Sequence, residues 1–241
     1  MSDMPRLFAL VPCAGVGVRA AAGGPKQYTA VAGQSVVAHT LDALMAVPAL
    51  GAVLVVLASD DDSFERHAPR FSGPRAWVAR CGGATRAASV CAGLAALRER
   101  GANDDDWVLV HDAARCLLQP AWVQTLIAAC EHDAVGGLLA LPLADTLKAS
   151  LGDRVTQTLP RADKWLAQTP QMFRLGLLQR ALAEAGDAVT DESSAIEALG
   201  LSPKLVPGPL ENFKLTWPAD FALAARLLHT RLLPARSLET P

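Results

Sequence analysis

Through the first half of the chain, short apolar runs alternate with longer segments whose apolar residues recur three and four apart. The apolar runs fit strands at 7–12, 52–58, 75–79, 107–111 and 136–142. Between them, VVAHTLDALMAV at 36–47, ATRAASVCAGLAALRER at 84–100 and the segment 121–131 carry helical spacing. This alternation predicts an α/β, Rossmann-like fold: a mostly parallel sheet flanked by helices. The pattern breaks in LADTLKASLGDRVTQTLPRADKW, at 143–165, which is polar, alternates weakly and has a Gly-Asp turn signal at its centre. It reads as a β-arm protruding from the core. Helical spacing resumes at about 175–185 and 191–199, and again after Pro218. The chain 1–241 is expected to be one domain with this arm as an excursion.

Composition narrows the partners. With 241 residues, a net charge of −2 and 51% hydrophobic residues, the chain can bury a sizeable core. Its longest apolar runs, 50–58 and 136–144, fall far short of the roughly 20 residues that span a bilayer. The N-terminal MSDMPRLFAL lacks a basic patch followed by a long apolar stretch, so a cytoplasmic location is expected. Five scattered cysteines without a C-x-x-C pair point to reduced thiols instead of a zinc site or disulfide scaffold. The acidic balance and single tyrosine offer no basic, aromatic surface for nucleic acid.

Three segments carry candidate chemistry. In PCAGVGVRAAAGGPKQY, from Pro12 to Tyr28, Gly15, Gly17 and Ala20 match a dinucleotide-binding G-x-G-x-x-A. Gly23, Gly24 and Pro25 would break the helix that this motif must open, and no acid lies between Asp3 and Asp42 to hold a ribose. An NAD(P)-binding oxidoreductase is therefore disfavoured. A phosphate-binding P-loop fails as well, because Lys26 stands between Pro25 and Gln27. Two readings remain: an ordinary solvated turn, or an open loop in which Arg19 and Lys26 surround a triphosphate. Pro25 restricts the backbone just ahead of Lys26, which suits a cation held in one direction.

In WVLVHDAAR, Asp112 ends an apolar strand, where open α/β sheets bind ligands and a carboxylate facing phosphates is a natural Mg²⁺ ligand. His111 reads as a half-buried histidine with satisfied nitrogens. In CGGATRAASV, Gly82 and Gly83 would allow close approach of a flat base and Ser89 could bond its edge; alternatively Thr85 simply caps the next helix. Thr190, Asp191 and Glu192 read first as a helix N-terminus. In NFKLTWP, Lys214 and Thr216 would face one side of a strand. The runs Asp60 to Asp62 and Asp104 to Asp106 read as solvated turns without chemistry.

The order of P-x-A-G-x-G-x-R, P-K-Q-Y, G-G-x-x-R-x-x-S-V, V-H-D-A-A-R, D-T-L-K, T-P-Q-M-F, T-D-E-S-S-A and K-L-T resembles the 2-C-methyl-D-erythritol 4-phosphate cytidylyltransferases, from about Leu7 to Leu228. The resemblance implies a nucleotidyltransferase that joins CTP to methylerythritol phosphate with Mg²⁺, and a homodimer whose β-arm reaches the neighbouring subunit. It implies that Ala14, Gly15 and Gly17 lie along CTP, that Arg19 and Lys26 contact its triphosphate, and that Gly83 and Ser89 recognise cytosine. Asp112 would hold metal and sugar, Thr146 and Arg161 on the arm would bind methylerythritol phosphate in the partner's site with Thr169 nearby, and Lys214 would approach the reacting phosphate, with Thr216 beside it. Departures from the family pattern are Cys13, Ala84, Thr85 and Cys116. A ribitol 5-phosphate cytidylyltransferase is the nearest rival; a non-catalytic nucleotide-binding regulator would be expected to lack Lys26, Asp112 or Lys214.

Overall fold

The computed structural model describes residues 4–15, 24–186 and 189–232. Five apolar runs become sheet strands: β1 (Leu7–Pro12), β4 (Ala52–Val56), β5 (Ala76–Ala79), β6 (Trp107–Val110) and β7 (Gly136–Pro142). Two further pieces, β2 (Ala30–Val31) and β3 (Gln34–Ser35), form a small separate ribbon. The sheet is completed by β10 (Trp165–Arg174) and β11 (Lys204–Pro207), which the periodicity does not announce. Strand order is β11-β7-β10-β6-β1-β4-β5, and only β10 among these described strands runs antiparallel to its neighbours.

Helices cover both faces. One apolar layer packs α1 (Val36–Met45) and α4 (Pro120–Cys130) on the sheet through Leu41, Leu44, Val123 and Leu126. The other uses α3 (Arg86–Glu99), α5 (Leu175–Ala185) and α6 (Glu192–Ala198), through Leu94, Leu97, Leu178 and Ile196. Each fully buried leucine side chain of this kind contributes about 2 kcal/mol of transfer free energy. The short α2 (Phe64–His67) and the C-terminal α7 (Pro218–Leu232) complete the set.

The arm is present as a hairpin of β8 (Leu147–Leu151) and β9 (Arg154–Leu159). Leu151 pairs with Arg154 across Gly152 and Asp153, and Gly152 takes the left-handed backbone (φ 58°) that a two-residue turn demands. Its Leu151 and Val155 are largely exposed.

Three expectations are corrected. Residues 213–216 are irregular, so Lys214 and Thr216 do not share a strand face. The turn at Asp104–Asp106 is not merely solvated, because Asp106 is buried and accepts from the Arg6 amide at 2.8 Å and guanidinium at 2.7 Å. Asp61 also shapes its own turn, accepting from the amides of Ser63 and Phe64, at 3.0 and 3.1 Å, and from the Tyr28 hydroxyl.

Candidate active site

The parallel strands β1 and β6 lie side by side, but the chain leaves β1 toward β4 and reaches β6 only later. Such a reversal opens a crevice beyond the carboxyl ends of the strands. Here a cleft of about 370 Å³ is lined by residues 12–15, 26–27, 83–86, Ser89, 112–114 and Lys214. The structure thus brings Ala14, Gly15, Lys26, Gly83, Ser89, Asp112 and Lys214 to one place. Gly17 and Arg19 lie outside the described residues.

Asp112 sits at the centre. It follows β6 by two residues and is buried, with its backbone N–H donating to the Thr169 hydroxyl at 3.0 Å. Its carboxylate receives Arg86 Nε on Oδ1 at 2.8 Å and Lys214 Nζ on Oδ2 at 2.9 Å, with Arg115 Nε 3.7 Å from Oδ2. Burial alone would push this carboxyl up, but Arg86, Lys214 and Arg115 outweigh it and hold Asp112 well below the usual carboxylate range. It is ionised throughout the physiological pH range.

The loop carrying Lys214 is fixed from beneath. The Leu215 amide donates to the Ala114 carbonyl at 2.9 Å, and Arg115 Nη1 donates to the Asn212 carbonyl at 2.6 Å. Asn212 in turn donates to the Thr169 carbonyl at 2.8 Å. Lys26 reaches the same loop, donating to the Leu215 carbonyl at 2.9 Å. It belongs to a short 3-10 turn, Lys26–Tyr28, that follows Pro25, and Gln27 ties that turn to the Cys13 carbonyl at 3.1 Å. The two lysines therefore converge on one wall of the cleft although 188 positions separate them in the sequence.

Across the cleft, Thr85 caps α3 by accepting from the Ala88 amide at 3.0 Å. The Ser89 hydroxyl accepts from the Gly83 amide at 3.2 Å and donates to the Thr85 carbonyl at 3.0 Å. A hydroxyl oxygen accepts twice, so one acceptor position of Ser89 is left for a ligand donor. Gly82 is required by close packing: a Cβ there would fall 2.3 Å from that of Ala14 and 2.7 Å from the Leu57 carbonyl oxygen.

His111 is fully buried, not half-buried, and burial pushes its imidazole down to about 4. A neutral ring with its proton on Nε2 satisfies its neighbours: Nε2 faces the Arg115 carbonyl at 3.3 Å and Nδ1 the Thr169 hydroxyl at 3.1 Å. Thr169 lies under the cleft floor instead of lining it. Thr216 turns away, donating to the Lys214 carbonyl at 3.1 Å. Thr146 and Arg161 are exposed at the root of the arm, where Arg161 donates to the Ala144 carbonyl, and neither lines the cleft.

Sequence reasoning gives no site role to Arg86 or Arg115, and reads Glu192 only as part of a helix N-terminus. Arg86 opens α3 and bridges Asp112 to Glu192, which is 1% exposed and accepts two guanidinium bonds at 2.6 and 2.9 Å. The spacing G-G-x-x-R contains the signal for Arg86; the segment T-D-E-S-S-A contains Glu192 but marks it only as a helix start. Asp191, not the Thr190 hydroxyl, caps α6 in a reciprocal box with Ser194. Cys13 and Cys116 are buried with thiols pushed up by burial, the latter to about 12, so neither substitution introduces a reactive group.

A family model described as 2-C-methyl-D-erythritol 4-phosphate cytidylyltransferase (IspD) matches residues 7–230. The chain is 60% identical over 227 residues to a bifunctional enzyme IspD/IspF of Albidiferax ferrireducens, covering 94% of this chain but only 54% of that longer protein. It is 52% identical over 229 residues to a 2-C-methyl-D-erythritol 4-phosphate cytidylyltransferase of Burkholderia multivorans, covering 93% and 96% of the two chains. A crystal structure of a 4-diphosphocytidyl-2C-methyl-D-erythritol synthase superposes with a TM-score of 0.83 at 39% identity, over 94% of this chain and all of that one. With a cleft built at the switch point of a nucleotidyltransferase sheet and relatives matching over nearly its whole length, the chain belongs to the 2-C-methyl-D-erythritol 4-phosphate cytidylyltransferase family.

Proposed function

We propose that the cleft transfers CMP from CTP to 2-C-methyl-D-erythritol 4-phosphate, giving 4-diphosphocytidyl-2-C-methyl-D-erythritol and pyrophosphate. The convergence of Lys26 and Lys214 beside the ionised Asp112 carries this reading. The acceptor phosphate attacks the α-phosphorus of CTP, a new P–O bond forms, and the bond to the bridging oxygen breaks with its electron pair leaving on pyrophosphate. A phosphate oxygen is already ionised near neutral pH, so no general base is required. Catalysis then rests on alignment and on neutralising charge that gathers at the α-phosphate.

Lys26 and Arg19 contact the triphosphate, Lys214 orients the acceptor phosphate, and the backbone of Ala14, Gly15 and Gly17 follows the nucleotide. Gly83 admits the base, and the remaining acceptor position on Ser89 suits an amino group such as that of cytosine. Thr216 supports Lys214 through its carbonyl.

Among the described residues no cluster of three or more acidic, histidine or cysteine side chains could hold a metal by itself. A single carboxylate, Asp112, opposite a triphosphate fits Mg²⁺, which takes one or two carboxylates and fills its remaining positions with phosphate oxygens and water. The ion would supply additional positive charge at the phosphates. Arg86 bonds one Asp112 oxygen and Lys214 the other, so an ion there would take a second lone pair on an oxygen whose direction they hold.

We also propose a homodimer in which Thr146 and Arg161 serve the neighbouring subunit's cleft, with Thr169 supporting the floor. The exposed Leu151 and Val155 on a two-stranded ribbon support it, since such a hairpin has little stability without a packing partner. Five free cysteines agree with a reducing, cytoplasmic setting. No described helix is long and apolar enough to cross a membrane.

The test is pyrophosphate release with Mg²⁺, crossing four nucleoside triphosphates with methylerythritol phosphate and ribitol 5-phosphate. Turnover with CTP and methylerythritol phosphate is expected. Turnover only with ribitol phosphate, or only with a purine triphosphate, would overturn the assignment.

A further inference from the structure

Glu192 is a buried carboxylate for which the proposed reaction has no direct use. Both its oxygens accept from one guanidinium, Arg86 Nη1 at 2.6 Å and Nη2 at 2.9 Å. The remaining Nε–H of Arg86 donates to Asp112 Oδ1 at 2.8 Å. A guanidinium is a rigid planar fork, so gripping its two terminal nitrogens also fixes where Nε–H points. The direction of the Asp112 carboxylate is thereby set from Glu192, and Oδ2 is turned toward Lys214 Nζ at 2.9 Å.

Glu192 is itself delivered by the sheet. The preceding Asp191 caps α6 and accepts from Gln171 Nε2 at 2.8 Å, while Gln171 Oε1 accepts from the Ser193 amide at 2.7 Å. Gln171 pairs with Val110 at the end of β6, so one strand pair sets both Asp112 and the turn that presents Glu192. A buried ion pair seldom stabilises more than an apolar pair of the same volume. Stability alone is therefore a weak reason for this arrangement at the wall of a cleft.

We propose that Glu192 is a positioning residue for cytidylyl transfer: by holding Arg86 in one plane it orients the Asp112 carboxylate and, through it, Lys214. This rests on the reading of Asp112 and Lys214 given above but extends to a side chain that touches neither substrate. The alternative is a plain electrostatic latch between α3 and α6.

Steady-state pyrophosphate release by the full chain separates the two. Glu192→Gln should lower kcat by about 100-fold, the cost of misplacing a reacting group by roughly 1 Å. The KM for CTP should stay within about threefold of wild type, because the pathway runs through orientation and not ground-state binding. In the Asp112→Asn background, Glu192→Gln should change kcat by no more than about threefold, since both changes act on the same arrangement. A latch instead predicts that the two losses multiply, or that activity follows the folded fraction; either result overturns the proposal, as does wild-type kcat in Glu192→Gln. If that variant does not fold at the assay temperature, Glu192→Asp keeps the charge but withdraws it by one methylene. It should then show about a tenfold loss of kcat that vanishes in the Asp112→Asn background, and wild-type kcat or a multiplying loss would overturn the proposal. A wild-type enzyme inactive with CTP and methylerythritol phosphate would instead refute the underlying function.

Discussion

Strand β6 has a buried aspartate near each end, and the two do opposite work. Asp106, just before Trp107, accepts from the backbone amides of Arg6 and Asn103, each at 2.8 Å, and from the Arg6 guanidinium at 2.7 Å. Asp112, beyond Val110, is held by side-chain cations from α3 and from the 213–216 loop, with Arg115 close by. Both carboxyls sit below their ordinary value; Asp112 faces the cleft that also holds Lys26 and Lys214, whereas Asp106 borders a separate depression beside Arg6 and Asn103, to which its oxygens are already bonded. A carboxylate saturated by two backbone amides and one arginine is a lock; one steered by long cations at a substrate-sized cleft can answer to a ligand. The aspartate at the amino end of β6 ties the strand to its surroundings, and the one at the carboxyl end is arranged to receive charge.

The largest expected effect breaks the contrast at the cleft. Asp112→Asn should lower kcat by about 10³-fold, the upper range for removing one preorganised electrostatic group. Steady-state pyrophosphate release gives the number, and a loss below tenfold would place the chemistry elsewhere. Lys214→Met should lower kcat by about 10²-fold with the KM for CTP nearly unchanged. Near-normal kcat in that variant removes Lys214 from catalysis.

Next comes the contribution proposed for a neighbouring subunit. Arg161→Ala should raise the KM for methylerythritol phosphate by about 10- to 100-fold, the range for one hydrogen bond to a charged group, while leaving that for CTP unchanged. Mixing it with Lys26→Met and allowing subunit exchange should restore roughly a quarter of wild-type activity through hybrid two-fold dimers, each with one intact cleft. No restoration would count against a cleft completed by its neighbour.

The smallest effect on turnover belongs to the lock. Asp106→Asn should cost about 2 kcal/mol of stability at pH 7 in urea unfolding and leave kcat within about twofold. The sign with pH follows from a folded-state value lowered below 3.8 by Arg6 and the Asn103 amide against the cost of burial. The stabilisation is complete above the unfolded value and disappears as pH falls through the lower folded one, so wild type and variant should converge in strong acid. A difference that stays constant through that window would show that the charge is not what locks this end.

Much of this contrast is legible in the sequence, and the exceptions have physical reasons. Continuous Val, Leu and Ala runs expose β1, β4, β6 and β7, because strands buried on both faces need no alternation. The central β10 stays hidden: Gln168, Thr169 and Gln171 are buried polar residues whose bonding partners are distant, and Pro170 falls where the register shifts between Ala167 and Gln171. The lock passes for a solvated turn because the bond from Asp106 to Arg6 spans 100 positions. Glu192 reads as a helix start, which it is, but Arg86 lies 106 positions away and only the folded sheet brings them together. Lys26, Gly83, Ser89, Asp112 and Lys214 can be picked out because their types and order carry charge and backbone freedom that a plain turn does not require.

The most direct measurement is single-turnover formation of 4-diphosphocytidyl-2-C-methyl-D-erythritol from CTP and methylerythritol phosphate by wild type, Asp106→Asn and Asp112→Asn, compared at equal folded fraction. Equal rates are expected for wild type and Asp106→Asn, and a rate about 10³-fold lower for Asp112→Asn. Equal losses in the two variants, or full activity in Asp112→Asn, would contradict the claim that, of the two ends of β6, only the carboxyl end takes part in the chemistry.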